Sequence, residues 1–180
     1  MIIGLKSNKV KLVKYNPKWE EEFLIEKMKI WNLIRDKIIE IEHIGSTAIK
    51  GIHAKPIIDM AISIRKFEDG LECVKPLESI GYLYLGENGI PKRHYFRTND
   101  EIVKFHLHFF LISSKEWENH ILFRDYLNKN RNEAKRYDKL KLTLAKKYKT
   151  NRELYTEGKT SFCKEIIEKA RNCLTSYNFP

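Results

Sequence analysis

Cysteine is scarce in this sequence. Only three cysteines occur in 180 residues, Cys73, Cys163 and Cys173, and no two of them form a Cys-x-x-Cys pair. An odd, widely spaced set argues against a disulfide framework and against a zinc site built from thiolates. We therefore expect the fold to depend on a hydrophobic core.

Long apolar runs are also absent. No stretch approaches the roughly 20 apolar residues that cross a bilayer. Residues 1–12 lack the apolar centre and the small-residue cleavage site of a signal peptide. We therefore expect a cytoplasmic protein with no membrane partner. A hydrophobic fraction of 42% over this length favours one globular domain, residues 1–180.

Acidic residues are outnumbered by basic ones, 24 against 34, which gives a formal net charge of +10. The excess is concentrated in residues 115–180, where 16 Lys and Arg stand against 9 Asp and Glu (16 − 9 = 7). This distribution suits a polyanionic partner, such as nucleotide phosphates or RNA. A lysine-rich helical surface in contact with water explains it equally well.

Hydrophobic periodicity predicts a sheet first and helices afterwards. A long helix begins at Asn16-Pro17, a second is expected over 69–80 with room for a break at Pro76, and Asn99-Asp100 is a hairpin signal. Capping pairs at Ser113 with Glu116, Asn130 with Glu133 and Thr150 with Glu153 mark later helices. We expect a mixed-sheet part, 1–112, and a helical part, 113–180. The candidate strands are 10–15, 38–44, 57–64, 82–85, 94–98 and 102–111.

The most informative stretch is a loop between two of these strands. Glu42-His43-Ile44-Gly45-Ser46-Thr47-Ala48 ends one strand, and Lys55-Pro56-Ile57-Ile58-Asp59 leads into the next. Glycine lets backbone N–H groups approach a phosphate, a lysine adds positive charge, and magnesium binds through few carboxylates plus phosphate oxygens. The stretch predicts phosphate binding by Gly45, Ser46, Thr47 and Lys55, with Asp59 on a metal ion. A tight crossover loop without a ligand explains these residues about as well.

Two histidines stand two residues apart on a later strand. His106 and His108 must point to the same side because side chains alternate along a strand, and His43 adjoins the Gly-Ser loop. If their strand neighbours that of Asp59, these groups could bind a transition metal or act as general acid and base. Hydrogen bonding within the sheet is the alternative for each histidine. Arg93 is a further phosphate candidate because guanidinium groups suit phosphate oxygens.

Other polar residues receive structural interpretations. We expect Arg124 to pair with Asp125 or another helix. Tyr155 and Lys159 could border the same site from the helical part, but a position on a helix surface is the favoured interpretation. His53, His94 and His120 are assigned to the surface or to local packing.

An ordered set of motifs makes the sequence resemble the GrpB family of small bacterial proteins, which are also found fused behind dephospho-coenzyme A kinase. The resemblance extends over nearly the whole chain. It rests on Tyr15-Asn16-Pro17-x-Trp19, residues 42–48, Gly51 with 55–59, Arg93 with 95–97, 106–108, 123–127, Tyr137 with 140–141, and 155–159.

The resemblance implies a nucleotidyltransferase-like (polymerase-β-like) α+β fold, a mixed sheet with flanking helices and a C-terminal helical part. That fold carries Gly-Ser after one strand, here Gly45-Ser46, and Asp-x-Asp or Asp-x-Glu on the next, here beginning at Asp59. The second acidic position is Ala61. A pair of metal ions that clamps the attacking and leaving oxygens would therefore lack one of its usual ligands.

These observations lead to one main hypothesis and two alternatives. The main one is metal-dependent nucleotidyl or phosphoryl transfer on a nucleotide or phosphorylated small molecule, with Asp59, His106 and His108 as catalytic residues. Mg²⁺, Mn²⁺ or a transition metal would be held by these three and His43. Ala61 suggests an inactive module that binds a nucleotide or a coenzyme A-like ligand. The basic helical part suggests an RNA-binding protein.

Overall fold

The structure of the chain is a computed structural model that describes residues 3–6 and 9–176. A five-stranded mixed sheet forms its centre. Its strands are β2 (Glu40–Ile44), β3 (Ile58–Ile64), β4 (Tyr82–Tyr84), β5 (His94–Thr98) and β7 (Phe105–Leu111). They lie in the order β2-β3-β7-β5-β4, in which only the β3–β7 pair is parallel and the three other pairs are antiparallel.

The first helices cover one face of the sheet. They are α1 (Lys18–Ile34), α2 (Phe67–Glu72) and α3 (Val74–Ser79). Met60, Ile62 and Ile64 of β3 belong to the main core, together with Trp19 and Ile30 of α1. Because side chains alternate along a strand, Asp59 and Ala61 lie on the opposite face.

Four helices follow the sheet: α4 (Lys115–Lys129), α5 (Arg131–Lys147), α6 (Arg152–Glu157) and α7 (Thr160–Ser176). The face of β3 that carries Ala61 is partly covered by α4, through Trp117 and Ile121. Residues Ile49 and Ile52, in the loop after β2, form a second core with α5 and α7. The loop is also held by α5, since Asp138 accepts hydrogen bonds from the His53 backbone N–H (2.7 Å) and ring Nδ1 (2.9 Å).

The prediction of a strand over residues 10–15 is wrong. Only Val13 makes a β-bridge there, to Ala54, and the first strand is β1 (Leu5–Lys6), which pairs with β6 (Ile102–Val103). The alternation of apolar and basic residues has another cause. Residues 9–15 form an extended arm in which Val10 is buried while Lys9, Lys11 and Lys14 are exposed.

Several element boundaries also differ from the sequence prediction. The helix expected over 69–80 is two helices that meet at Cys73, and Pro76 lies in the first turn of α3, where its missing N–H has no helical partner to lose. The strand expected over 102–111 is divided, because Ile102–Val103 pairs with β1 while β7 pairs with β5. Ser114 and Asn151 cap α4 and α6, in place of Ser113 and Thr150.

No helix in the described residues is long and apolar enough to cross a membrane.

Candidate functional site

Asp59 lies at the centre of a small polar group on the sheet. In the parallel register Asp59 pairs with His106, and Ala61 pairs with His108, so both rings share the face of the carboxylate. His106 Nδ1 is 2.9 Å from Asp59 Oδ1, and His108 Nε2 is 3.4 Å from the same oxygen. The structure therefore brings together the three residues proposed as catalytic.

Arg93 contacts the far side of His108. Its Nη1 is 3.3 Å from His108 Nδ1, while its Nε and Nη2 donate to the backbone carbonyls of Glu87 and Asn88. A guanidinium only donates hydrogen bonds, so His108 Nδ1 accepts and the neutral ring carries its proton on Nε2, towards Asp59. Arg93 thus orients His108 and holds the loop before β5, and few of its donors remain for a phosphate.

The charges of this group are set by burial and hydrogen bonding. Burial alone would raise the pKa of Asp59, but hydrogen bonds with His106 and His108 outweigh it and hold the pKa well below its usual range. Burial lowers the pKa of His106, although the contact with Asp59 opposes this. The carboxylate is therefore ionised beside a neutral imidazole. His106 Nε2 is buried and has no hydrogen-bond partner among the described residues.

The turn after β2 comes unusually close to this carboxylate. Gly45 has φ of 71° and ψ of −169°, a region that is essentially restricted to glycine. The following residues form a 3₁₀ turn, Ser46–Ala48. The Ser46 side chain hydrogen-bonds Tyr137 of α5, and the Thr47 hydroxyl is buried and donates to the Ile57 carbonyl (3.4 Å). Phosphate binding by Thr47 would therefore involve its backbone rather than its hydroxyl.

His43 lies apart from the Asp59 group, contrary to its proposed role as a fourth metal ligand. It pairs with Met60 in the antiparallel register, which places it on the opposite face of the sheet. Its ring stacks on Phe23 of α1 (4.8 Å between centroids) and contacts Glu20 and Thr47. Adjacency to Gly45 in the sequence suggested the wrong face, because one residue along a strand reverses the side-chain direction.

A cleft of about 920 Å³ opens in front of Asp59, between the sheet and the helical part. The predicted site residues Gly45, Ser46, Thr47, Lys55, Asp59, Arg93, His106 and His108 all line it. Helices α5, α6 and α7 form the opposite wall.

Two ammonium groups in this cleft contact the same aromatic ring. Lys55 Nζ and Lys159 Nζ lie 5.3 and 4.6 Å from the centre of the Tyr155 ring. Neither lysine forms an ion pair with a carboxylate within residues 3–6 and 9–176. Burial lowers the pKa of Lys55 to about 7, and the positive charges of Arg152 and Lys159 add to this effect. Burial also lowers the pKa of Lys159.

The helical wall supplies cleft residues that the sequence did not reveal. Arg152, the first residue of α6, reaches across to hydrogen-bond Tyr95 of β5. The Tyr95 ring contacts both His106 and His108, at 5.5 and 5.2 Å between centroids. His120 of α4 also lines the cleft, 6.0 Å from the His108 ring. No motif marks Arg152 or His120, because only tertiary packing brings α4 and α6 to the sheet. For Lys159 the sequence left a place beside the site open but favoured a helix surface, and the structure places it in the cleft lining.

The position of the expected second carboxylate is closed. Ala61 is fully buried and packs against Ile44, Phe110 and Trp117. The site therefore does not fit a pair of metal ions held by an Asp-x-Asp strand. It does offer one ligand atom each from Asp59, His106 and His108, all within 4.8 Å of one another. A carboxylate with two imidazoles suits one transition-metal ion better than magnesium, which prefers oxygen ligands.

A comparison with solved structures identifies the class of fold. A mutant of the Cid1 poly(U) polymerase bound to MgATP superposes with a TM-score of 0.51 at 14% identity, over 74% of this chain and 43% of that one. The fold is therefore nucleotidyltransferase-like, as the sequence resemblance implied.

The chain belongs to the GrpB family, whose model (GrpB protein) matches residues 9–169. The crystal structure of the conserved protein GrpB from Enterococcus faecalis superposes with a TM-score of 0.84 at 32% identity, over 93% of this chain and 99% of that one.

Two curated relatives agree with this family. The glutamate-rich protein GrpB of Alkalihalophilus pseudofirmus is 34% identical over 93% of this chain and 99% of its own length. The UPF0157 protein YqkA of Bacillus subtilis is 39% identical over 91% of this chain, which spans only 48% of that relative.

Proposed function

We propose that the cleft binds a nucleotide or another phosphorylated small molecule together with one divalent cation, and uses them for phosphoryl or nucleotidyl transfer. The observation that carries the proposal is the pair Lys55 and Lys159, which line the cleft opposite an ionised Asp59 and form no ion pair with a carboxylate among the described residues. An anionic ligand would supply the missing counter-charge. A cation on Asp59 would let the phosphate oxygens approach that carboxylate.

Each residue has a role that follows from its surroundings. Gly45 and Ser46 would present backbone N–H groups at the turn, and Lys55 and Lys159 would neutralise phosphate oxygens. Asp59, His106 and His108 would hold the cation, which when bound supplies charge for phosphate oxygens. To bind the cation through Nε2, His108 would carry its proton on Nδ1 and would give up its hydrogen bond from Arg93. Arg152 would reach the ligand from the helical wall.

A direct test measures metal and nucleotide binding by calorimetry with wild type and Asp59→Asn. We expect Mn²⁺ or Zn²⁺ to bind with a stoichiometry of one, and Asp59→Asn to lose at least about tenfold in metal affinity and in metal-dependent nucleotide affinity. Asp36→Asn, an exposed change beyond the end of α1, is the matched control. Undiminished affinity in Asp59→Asn would refute the metal role.

The closed Ala61 position favours a second function, binding without turnover. The same fold would then retain a nucleotide or a coenzyme A-like ligand in the cleft. Incubation of labelled nucleoside triphosphates with Mg²⁺, Mn²⁺ or Zn²⁺ separates the two. Release of pyrophosphate or phosphate that Asp59→Asn abolishes supports transfer, whereas tight binding with no release supports the binding module.

A further inference from the structure

The N-terminal arm crosses the end of α5 beside the cleft. The backbone N–H of Val10 donates to the Lys149 carbonyl at 3.3 Å, and Val13 exchanges backbone hydrogen bonds of 2.9 and 3.0 Å with Ala54. The arm therefore connects the end of α5 with the loop that leads to Lys55. The start of α6, with Arg152 in the cleft wall, follows three residues after Lys149.

This junction carries positive charge only. Residues 9–14 and 146–152 contain seven Lys and Arg and no Asp or Glu. Six of the seven are exposed and define the arm patch: Lys9, Lys11, Lys14, Lys146, Lys147 and Lys149.

None of the arm-patch lysines forms an ion pair with a carboxylate in the part of the chain that the structure describes. Several other surface cations are paired, for example Arg136 with Glu165 at 3.0 Å and Lys169 with Glu133 at 2.8 Å. The arm patch differs from the single unpaired lysines elsewhere because its two segments bring six exposed lysines together without any acidic residue. The helix dipole favours Lys146 and Lys147 at the end of α5, but it does not account for the three lysines on the arm. Clustered like charges oppose folding unless a partner neutralises them.

We propose that the arm patch binds a single-stranded nucleic acid. Six cations outside the cleft exceed what one small ligand inside it needs, and they suit a chain of phosphates. Tyr148 lies among them, half-buried, with Lys147 Nζ 5.1 Å from its ring centre. Cations beside an aromatic ring are the usual surface for a single strand, because the backbone contacts the cations and a base stacks on the ring.

The surroundings of the patch favour a strand over a membrane. Membrane surfaces are bound by cations beside large apolar side chains that enter the bilayer. Segments 9–14 and 146–152 expose no large apolar side chain, and the exposed Leu24, Ile25 and Met28 belong to α1. The inference does not depend on the function proposed for the cleft.

The test is fluorescence anisotropy with labelled single-stranded RNA and DNA of about 20 nucleotides, longer than the roughly 4–16 that a small binding domain covers. We expect the affinity of at least one to fall steeply between about 50 and 200 mM salt. Lys11→Glu combined with Lys149→Glu should weaken binding about tenfold or more. The slope of log K against log salt should become shallower by about 1.4, or 0.7 for each of two phosphate contacts.

The matched control is Lys75→Glu combined with Lys115→Glu, two exposed lysines on α3 and at the start of α4 that form no ion pair within the described part of the chain. Both pairs change the net charge equally, so an equal loss in the control would show that overall charge is responsible and would overturn the proposal. Salt-insensitive or absent binding of both oligonucleotides overturns it too. The proposal is also overturned if phosphatidylserine vesicles displace the oligonucleotide and bind through the same lysines. Asp59→Asn should retain strand binding, which separates this proposal from that for the cleft.

Discussion

Gly45 and Asp59 approach so closely that no larger residue fits at position 45. A Cβ atom built on Gly45 would lie 2.6 Å from Asp59 Oδ2 and 3.0 Å from Asp59 Cβ. The glycine of the loop therefore does more than permit the turn. It leaves the carboxylate oxygen uncovered on the side that faces the Gly-Ser backbone.

Gly45→Ala should lower the free energy of unfolding and displace the Asp59 carboxylate. Backbone strain at this φ and ψ costs about 1–3 kcal/mol, and the contact with Asp59 adds to it. Urea unfolding of a double-mutant cycle with Asp59→Ala measures the second part. We expect Gly45→Ala to cost less in the Asp59→Ala background. An equal cost in both backgrounds would mean that the carboxylate moves aside without difficulty.

Lys55 should make ligand binding depend on pH. Its pKa is lowered to about 7 by burial, so the amine is increasingly neutral above that pH. A bound phosphate favours the charged form and raises this pKa, so binding takes up a proton and affinity should fall as pH rises from about 6.5 to 9. Calorimetric titration of the protein with inorganic pyrophosphate, in buffers of different ionisation enthalpy, measures the number of protons taken up on binding. Lys55→Arg should bind pyrophosphate at all these pH values, and its affinity should depend less on pH. If the pH dependence of affinity is unchanged in that variant, another group is responsible for it.

His120 should make the protein less stable in mild acid. Burial lowers its pKa from 6.5 to about 4, so between these values the unfolded chain binds a proton that the folded chain does not. Stability is therefore complete above about pH 6.5 and falls as the pH drops towards 4, by up to about 3 kcal/mol for this group. Urea unfolding at pH 7 and pH 5 measures the difference, which should be smaller in His120→Gln. A loss of the same size in His120→Gln would place the acid sensitivity elsewhere.

Ala61→Asp should not create a second metal site. The new carboxylate would be buried against Ile44, Phe110 and Trp117, where an unpaired charge is strongly unfavourable. We expect unfolding to become easier by about 3–5 kcal/mol, with a Mn²⁺ stoichiometry still at one by calorimetry. Ala61→Asn, similar in size but uncharged, should cost less. A stable variant that binds two ions would show that α4 moves and that the two-metal arrangement is accessible.

The centre of the site could be predicted from the sequence because it depends on short-range rules. Strand alternation fixes the shared direction of His106 and His108 and the opposite directions of Asp59 and Met60. Only the pairing of the two strands had to be assumed, and the parallel β3–β7 register confirms it. The Gly-Ser turn was recognisable because glycine is the residue that such a backbone requires.

The rest of the cleft could not be predicted because it depends on long-range packing. His43 was placed wrongly, since its direction depends on the register with β3 rather than on its neighbours in sequence. Arg152 and His120 lie on helices, and Lys159 lies in the turn between α6 and α7. All three look like solvent-facing residues until the helical part packs on the sheet. The arm over 10–15 was predicted as a strand because apolar and polar residues alternate with the same period in an extended segment that has one buried side.

The Tyr155 ring contacts two ammonium groups that form no ion pair with a carboxylate among the described residues. Their mutual repulsion is relieved when an anion enters the cleft. Any compound of suitable shape and negative charge should therefore raise the melting temperature of the folded chain. A thermal-shift screen of phosphorylated metabolites can therefore rank candidate ligands by the stability that each one adds.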